Sequence, residues 1–249
     1  MTVVGGSPKV LVVIPARYGS TRLAAKALAD IHGKPMVRHV WERSKSAGHR
    51  VVVATDDERI ASVVAAFGGE AVMTSTEIRS GTDRVAAVAD QIEADIYASV
   101  QGDEPLMVAE AIQAAVNLVA TGRFPLSTVM TPLVSREELN DPSVVKVLAD
   151  RSDRAVYFSR HPIPYSRLAP PETGFACRRH VGLYVYDRET LMRFRDLPTS
   201  EWERAESLEQ LRALEHGIPI GIREVAFTSI GVDTPEDLEK VRRHLVGRA

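Results

Sequence analysis

The chain has 249 residues, with 31 Lys plus Arg against 33 Asp plus Glu, a formal net charge of −2, and 45% hydrophobic residues. This is the composition of a globular domain that buries on the order of 70% of its unfolded surface, and it excludes both a disordered chain and one with the ~18-residue apolar run of a membrane span. Near-neutral charge without a long Lys/Arg run leaves no electrostatic footprint for nonspecific nucleic-acid binding.

The predicted elements begin with a strand over Val10 to Ile14, too short an apolar run for a signal-peptide core. A loop through Arg22 follows, then a helix from Pro35 to Ala47 in which Met36, Val37, Val40, Trp41 and Ser44 share one face. The strand Val51 to Ala54 is apolar throughout, the pattern of a strand covered on both faces. A helix Asp57 to Phe67, a strand Ala71 to Met73, a helix Asp83 to Ile92, a strand Ile96 to Val100 and a helix Val108 to Thr121 complete an alternation that predicts an open, mostly parallel sheet. From Ser127 the texture changes to strands at Ser127 to Thr131, Val144 to Leu148, Ala155 to Ser159 and His180 to Tyr186, an inserted antiparallel region. Helices Glu189 to Arg195 and Ala205 to His216, a strand Ile220 to Phe227 and a last helix from Pro235, capped by Thr234 with Asp237 three residues on, close the chain. The expected architecture is one α/β unit of residues 1–249 with a mixed insertion around 127–215. The single cysteine, Cys177, excludes an internal disulfide framework and a cysteine-based zinc site, which makes a reducing cytoplasm the expected compartment.

Three segments carry candidate chemistry. The loop Pro15 to Arg22 leaves the carboxyl end of the first strand, where open α/β sheets bind ligands. Arg17, Arg22 and Lys26 can neutralise a polyphosphate, while Gly19, Ser20 and Thr21 offer bends and donors. The spacing is neither that of a Walker A loop nor G-x-G-x-x-G, so P-loop kinases and dinucleotide dehydrogenases lose their main support. An exposed basic turn has equal standing on spacing alone.

The segment Ser99 to Pro105 brings Asp103 and Glu104 to another strand end, and Asp233 stands before the last helix. Carboxylates beside phosphates call for a cation between them, and Mg²⁺ is the natural one. A turn aspartate and a helix-entry aspartate are the plain alternatives. Ser80, Gly81, Thr82 and Arg84 offer a flexible glycine, two hydroxyls and an arginine for a base or ribose, or, with Asp83, simply a helix cap. Arg160, His161, Arg178, Arg179, His180 and Tyr184 suit a polar, acidic substrate; solvated arginines and a structural histidine are the alternative. Glu206, Glu209 and Gln210 fall on the Ala205 to His216 helix, where acids commonly face water.

The strings VVIPARYGSTRL, VATDD, SGTDR, VQGDEP, VKVL, YFSR, RHVGLYVY, SLEQLR and GVDTPEDL, from Val10 to Leu245, resemble in order and spacing the 3-deoxy-manno-octulosonate (Kdo) cytidylyltransferases, the CMP-Kdo synthetase family. The first loop is shared with other sugar cytidylyltransferases; VQGDEP with RHVGLY, LEQL and GVDTPEDL is more particular. The resemblance implies a Rossmann-like nucleotide-diphospho-sugar transferase fold, a homodimer, and transfer of CMP from CTP to the anomeric hydroxyl of Kdo, with Mg²⁺ and release of pyrophosphate, as the activation step of lipopolysaccharide synthesis. It implies that Arg17, Ser20, Thr21, Arg22 and Lys26 bind the triphosphate and that Ser80, Gly81, Thr82 and Arg84 lie by the nucleotide. Gln101 falls at the junction of nucleotide and sugar, Asp103 and Asp233 are metal ligands, and Arg160, His180, Tyr184, Glu209 and Gln210 form the sugar-acid pocket. Lys26, Arg17, Asp103 and Asp233 are the expected catalytic set, with Arg160 and His180 neutralising the sugar carboxylate.

The chain departs from the family pattern where Ala24 and Ala27 replace prolines around Lys26, where Ile78 replaces a common histidine, and in the short Leu168 to Ala176 stretch. The same chemistry on an 8-amino Kdo analogue or another 2-keto acid sugar is the nearest alternative. A noncatalytic nucleotide-binding regulator is the alternative of another class.

Overall fold

The structure is a computed structural model, which describes residues 7–19, 23–78, 80–167 and 174–246. In chain order the strands are β1 (Val10–Ala16), β2 (Asp30–Ile31), β3 (Lys34–Pro35), β4 (Arg50–Thr55), β5 (Glu70–Met73), β6 (Ile96–Val100), β7 (Leu126–Thr131), β8 (Lys146–Ala149), β9 (Ala155–Ser159), β10 (Arg178–Asp187) and β11 (Ile220–Glu224). The helices are α1 (Met36–Lys45), α2 (Glu58–Ala66), α3 (Gly81–Ala89), α4 (Ala109–Ala120), α5 (Arg136–Asn140), α6 (Arg188–Asp196), α7 (Glu201–Glu206), α8 (Gln210–Glu215) and α9 (Pro235–Val246). Among the described residues no helix is long and apolar enough to cross a membrane.

The main sheet runs β11-β7-β10-β6-β1-β4-β5, with β8 and β9 added beside β10. Its pairs β1–β4, β1–β6, β4–β5 and β7–β11 are parallel, and β10 is antiparallel to both β6 and β7. This is the expected mixed, mostly parallel α/β sheet, with the antiparallel β10 between β7 and β6. The apolar strands follow from two-sided cover. Val10, Val12 and Ile14 of β1 pack on one face with α1, α2 and α4, while Leu11 and Val13 pack on the other with α3, α6 and α8. Each fully buried Val, Leu or Ile contributes about 1.5–3 kcal/mol, so both faces of β1 are held in register.

Local chemistry starts the helices where the sequence indicates. Ser80 Oγ accepts from the Asp83 amide at α3, and Thr234 and Asp237 exchange bonds at α9, Asp237 N to Thr234 Oγ1 at 3.2 Å and Thr234 N to Asp237 Oδ2 at 3.2 Å. The predicted helix Ala205 to His216 is instead two short helices, α7 and α8, separated at Ser207, whose φ of 52° is left-handed. The physical reason is long-range. Arg160 donates to the carbonyls of Glu206 (2.8 Å), Ser207 (3.2 Å) and Pro142 (3.0 Å), so the end of α7 is tied to the segment after β9 instead of continuing into α8. A bidentate pair, Arg212 to Glu203 at 2.7 and 2.6 Å, clamps the two helices together. The hairpin β2–β3 and the helix α5, capped by Ser135, have no counterpart in the sequence reading.

Candidate active site

The site lies at the carboxyl ends of β1, β4 and β6. After β6 the chain turns through Gln101 and Gly102, and a methyl group at Gly102 would stand 2.7 Å from the Pro15 carbonyl oxygen. Only glycine lets this turn press on the end of β1, which fixes Asp103 beside the first loop. Ala25, left-handed at φ 49°, bends the chain into a short 3-10 turn over Lys26 to Leu28 that presents Lys26 to the same spot. The third contributor comes from far along the chain: the Val232 amide donates to the Asp103 carbonyl at 2.9 Å and sets Asp233 alongside.

These elements enclose a cavity lined by Pro15, Arg17, Lys26, Met36, Ser80, Gly81, Arg84, Gln101, Gly102, Asp103 and Asp233. Lys26 Nζ lies 2.7 Å from Asp103 Oδ2 and 3.1 Å from Asp233 Oδ1. Burial by itself lowers the Lys26 ammonium, but the two carboxylates outweigh it and leave it raised, so it is firmly charged. Among the described residues no three His, Cys, Asp or Glu side chains cluster as a metal site. The Asp103–Asp233 pair does fit Mg²⁺, which takes one or two carboxylates and completes its shell with phosphate oxygens and water. The Lys26 ammonium between the two carboxylates already shows that this position favours a cation.

Arg84 lines the cavity from below, only 3% exposed. It pairs with Asp56 at 2.8 Å, donates to the Ile78 carbonyl at 3.1 Å, and bonds Thr74 Oγ1. The position that Ile78 occupies thus acts through its backbone carbonyl. Beside Asp103, the Glu104 carboxyl turns inward and accepts from Ser229 Oγ at 2.9 Å. Burial, reinforced by the charge of Asp103, pushes Glu104 up to about 7 despite the Ser229 bond and Arg179.

A second polar cluster adjoins the first. A methyl on Gly81 would stand 3.2 Å, and one on Gly182 3.1 Å, from the Gln101 side chain, so two glycines make room for Gln101 between α3 and β10. Thr82 donates to Glu209 Oε2 at 2.8 Å, linking α3 to the start of α8. Burial raises the Glu209 carboxyl, partly opposed by the Thr82 bond. Glu209 Oε1 and Gln210 Nε2 are buried without a hydrogen-bond partner, with the Arg212 guanidinium 3.9 Å from Glu209 Oε1. His180 lies between Phe158, which it meets edge to face with ring centroids 5.1 Å apart, and the tilted ring of Tyr184 at 5.3 Å. The Thr128 hydroxyl donates to the Leu183 carbonyl at 2.6 Å and so accepts from His180 Nε2 at 2.9 Å. Although part of the residue remains accessible, this enclosure lowers the imidazole to about 3. Tyr184 is raised well above its ordinary value by burial and stays protonated.

The Cytidylyltransferase family model matches residues 11–223. The 3-deoxy-manno-octulosonate cytidylyltransferase of Syntrophotalea carbinolica is 49% identical over 249 residues, 96% of this chain and 99% of its own. The chain belongs to the 3-deoxy-manno-octulosonate cytidylyltransferase family. The member from Geobacter metallireducens is likewise 49% identical, over 94% of this chain and 96% of its own. A solved CMP:2-keto-3-deoxy-manno-octonic acid synthetase complexed with CTP superposes with a TM-score of 0.90 at 45% identity, covering 97% of this chain and 100% of that one. A putative glucose-1-phosphate thymidylyltransferase from Bacillus anthracis, at TM-score 0.67 and 15% identity, shares the fold.

In this cytidylyltransferase the predicted site residues separate into three groups. Arg17, Lys26, Ser80, Gly81, Arg84, Gln101, Asp103 and Asp233 line one cavity. Thr82, His180, Tyr184, Glu209 and Gln210 form the neighbouring cluster. Ser20, Thr21 and Arg22 lie outside the described residues, as does Leu168 to Thr173 of the Pro-rich stretch. Arg160 donates to three carbonyls, and enclosure favours the neutral form of His180; the expectation that these two neutralise a sugar carboxylate rests on the family resemblance. Asp56 and Ser229 carry no role in the sequence reading, and Glu104, expected with Asp103 among carboxylates beside a phosphate, is instead buried against Ser229. The paired acids of VATDD at a strand end were the available signal for Asp56; nothing local marks Ser229.

Proposed function

We propose that this chain transfers CMP from CTP to the anomeric hydroxyl of Kdo, forming CMP-Kdo and pyrophosphate. The observation that carries the reading is Lys26 held between Asp103 and Asp233 at the carboxyl end of β1. The attacking hydroxyl approaches the α-phosphorus of a polyanion, so positive charge must be in place where negative charge gathers. Lys26 and Arg17 stand at the cavity wall to screen the triphosphate and the leaving pyrophosphate. Asp103 and Asp233 would hold Mg²⁺, which supplies further charge neutralisation and lowers the pKa of a coordinated hydroxyl. Ser80, Gly81 and Arg84 sit where a nucleoside would lie, with Arg84 fixed by Asp56. Gln101 reaches both ligands from between Gly81 and Gly182. His180 orients a sugar oxygen by hydrogen bonding, while Glu209 and Gln210 offer polar groups to its hydroxyls. Attack is direct and in line, without a covalent enzyme intermediate.

The reading extends to a cytoplasmic homodimer that supplies the activated sugar for lipopolysaccharide. Pyrophosphate release from CTP with Mg²⁺ tests it, with Kdo, its 8-amino analogue and N-acetylneuraminate compared and ATP, GTP and UTP as controls. Release with CTP and Kdo supports the reading, preference for the analogue moves the acceptor, and CTP binding without release overturns it. Light scattering of the eluted protein checks the dimer.

A further inference from the structure

Asp233 arrives in the site on residues 225–234, a stretch without helix or strand between β11 and α9. Such a stretch has no ladder of its own to fix it, yet it must hold one carboxylate opposite Asp103. Its amides supply two anchors: Val225 N donates to the Met130 carbonyl and Val232 N to the Asp103 carbonyl, both at 2.9 Å. Between them Ser229, 5% exposed, donates to Glu104, 7% exposed. Glu104 also faces Gly182 of β10. Its Oε1 would lie 3.5 and 3.6 Å from methyl groups placed on Gly182 and Gly231, so the carboxylate is seated against backbone on both sides.

Resting on the reading of Asp103 and Asp233 as a shared cation site, we propose that Glu104 is a positioning residue whose buried bond with Ser229 sets Asp233 opposite Asp103. The turn that carries Asp103 is rigid, because Gly102 abuts Pro15 and the Gln101 amide donates to the Gly182 carbonyl at 3.2 Å. One side chain leaving that turn therefore gauges the distance to the opposite segment. Glu104 ties together the Asp103 turn, the β10 segment beside His180 and Tyr184, and the approach to Asp233. A shift of that approach changes the spacing of the two carboxylates without touching CTP or sugar.

The test compares wild type, Ser229→Ala and Glu104→Gln in the full chain by electron paramagnetic titration of Mn²⁺ with CTP present, beside CTP affinity without divalent cation, thermal unfolding and steady-state rates. Residues behind metal ligands change metal affinity by roughly 10–100-fold. Ser229→Ala is expected to weaken Mn²⁺ about tenfold and lower kcat, with cation-free CTP affinity held and the unfolding temperature lowered by only a few degrees. Glu104→Gln, whose amide oxygen still accepts from Ser229, is expected to weaken Mn²⁺ less. Tight Mn²⁺ binding by wild type that both variants match overturns the positioning role and leaves the cation site standing. Absence of Mn²⁺ binding by wild type overturns both.

Discussion

Lys26 and Asp233 meet across 207 positions of sequence, the ammonium 3.1 Å from the carboxylate, with Asp103 completing the triad at 2.7 Å. The cation is 18% exposed against 30% and 42% for the two acids, so it is the most enclosed of the three. Removing it leaves two carboxylates facing each other. Lys26→Met is expected to lower turnover about 10–100-fold and to weaken CTP binding, the scale of losing charge-assisted bonds of about 1.5–3 kcal/mol. Pyrophosphate release and a CTP titration check both. Normal values would place Lys26 outside the chemistry.

Gly102→Ala drives a methyl into the Pro15 carbonyl, 2.7 Å away, a backbone atom that cannot swing aside as a flexible side chain would. The turn must move, taking Asp103 with it. Urea unfolding is expected to show a loss of about 1–3 kcal/mol, and turnover to fall more than stability explains. An alanine variant as active as wild type would show that Asp103 does not need this close approach.

His180 makes stability depend on acid. Its pKa falls from the ordinary 6.5 to about 3 on folding, so between these values the unfolded chain binds the extra proton. Stability from this group is complete above pH 6.5 and is lost as pH falls toward 3. Glu104, raised on folding from 4.5 to about 7, acts with the opposite sign, its contribution declining as pH rises through that interval. His180→Gln removes only the first effect. Denaturation from pH 4 to pH 7, about the range set by the ordinary histidine value, is expected to show a shallower acid loss in the variant. Parallel profiles would mean that the imidazole is not buried neutral.

Arg160→Lys separates a clamp from a ligand. Lysine keeps the charge but not the fork that serves three carbonyls at 2.8 to 3.2 Å. The α7–α8 break is expected to loosen, with about 1–2 kcal/mol lost. The KM for the acid sugar is expected to rise severalfold while the KM for CTP holds, because Glu209 and Gln210 follow the break and the nucleotide cavity does not. Unchanged stability with a raised sugar KM would return Arg160 to direct contact with the sugar.

Local order along the chain was enough for the parallel half of the fold. Periodicity located β1, α1, β4, α2, β5, α3, β6 and α4, because an apolar strand covered on both faces and an amphipathic helix leave their period in a short window. Caps at Ser80 and Thr234 were legible for the same reason, each being satisfied within three residues. The strings from Val10 to Leu245 determined the family, and with it eight of the residues that line the cavity.

Tertiary structure decided the rest, because it depends on partners that no window contains. The place of β10 between β6 and β7 is set by pairing with strands far apart in sequence. The helix break at Ser207 is set by a guanidinium from residue 160, and the inward Glu104 by a hydroxyl at 229. Charge state followed enclosure. The family resemblance casts His180 as a partner for a sugar carboxylate, but Phe158, Tyr184 and Thr128 close around it and make the neutral ring the cheaper form.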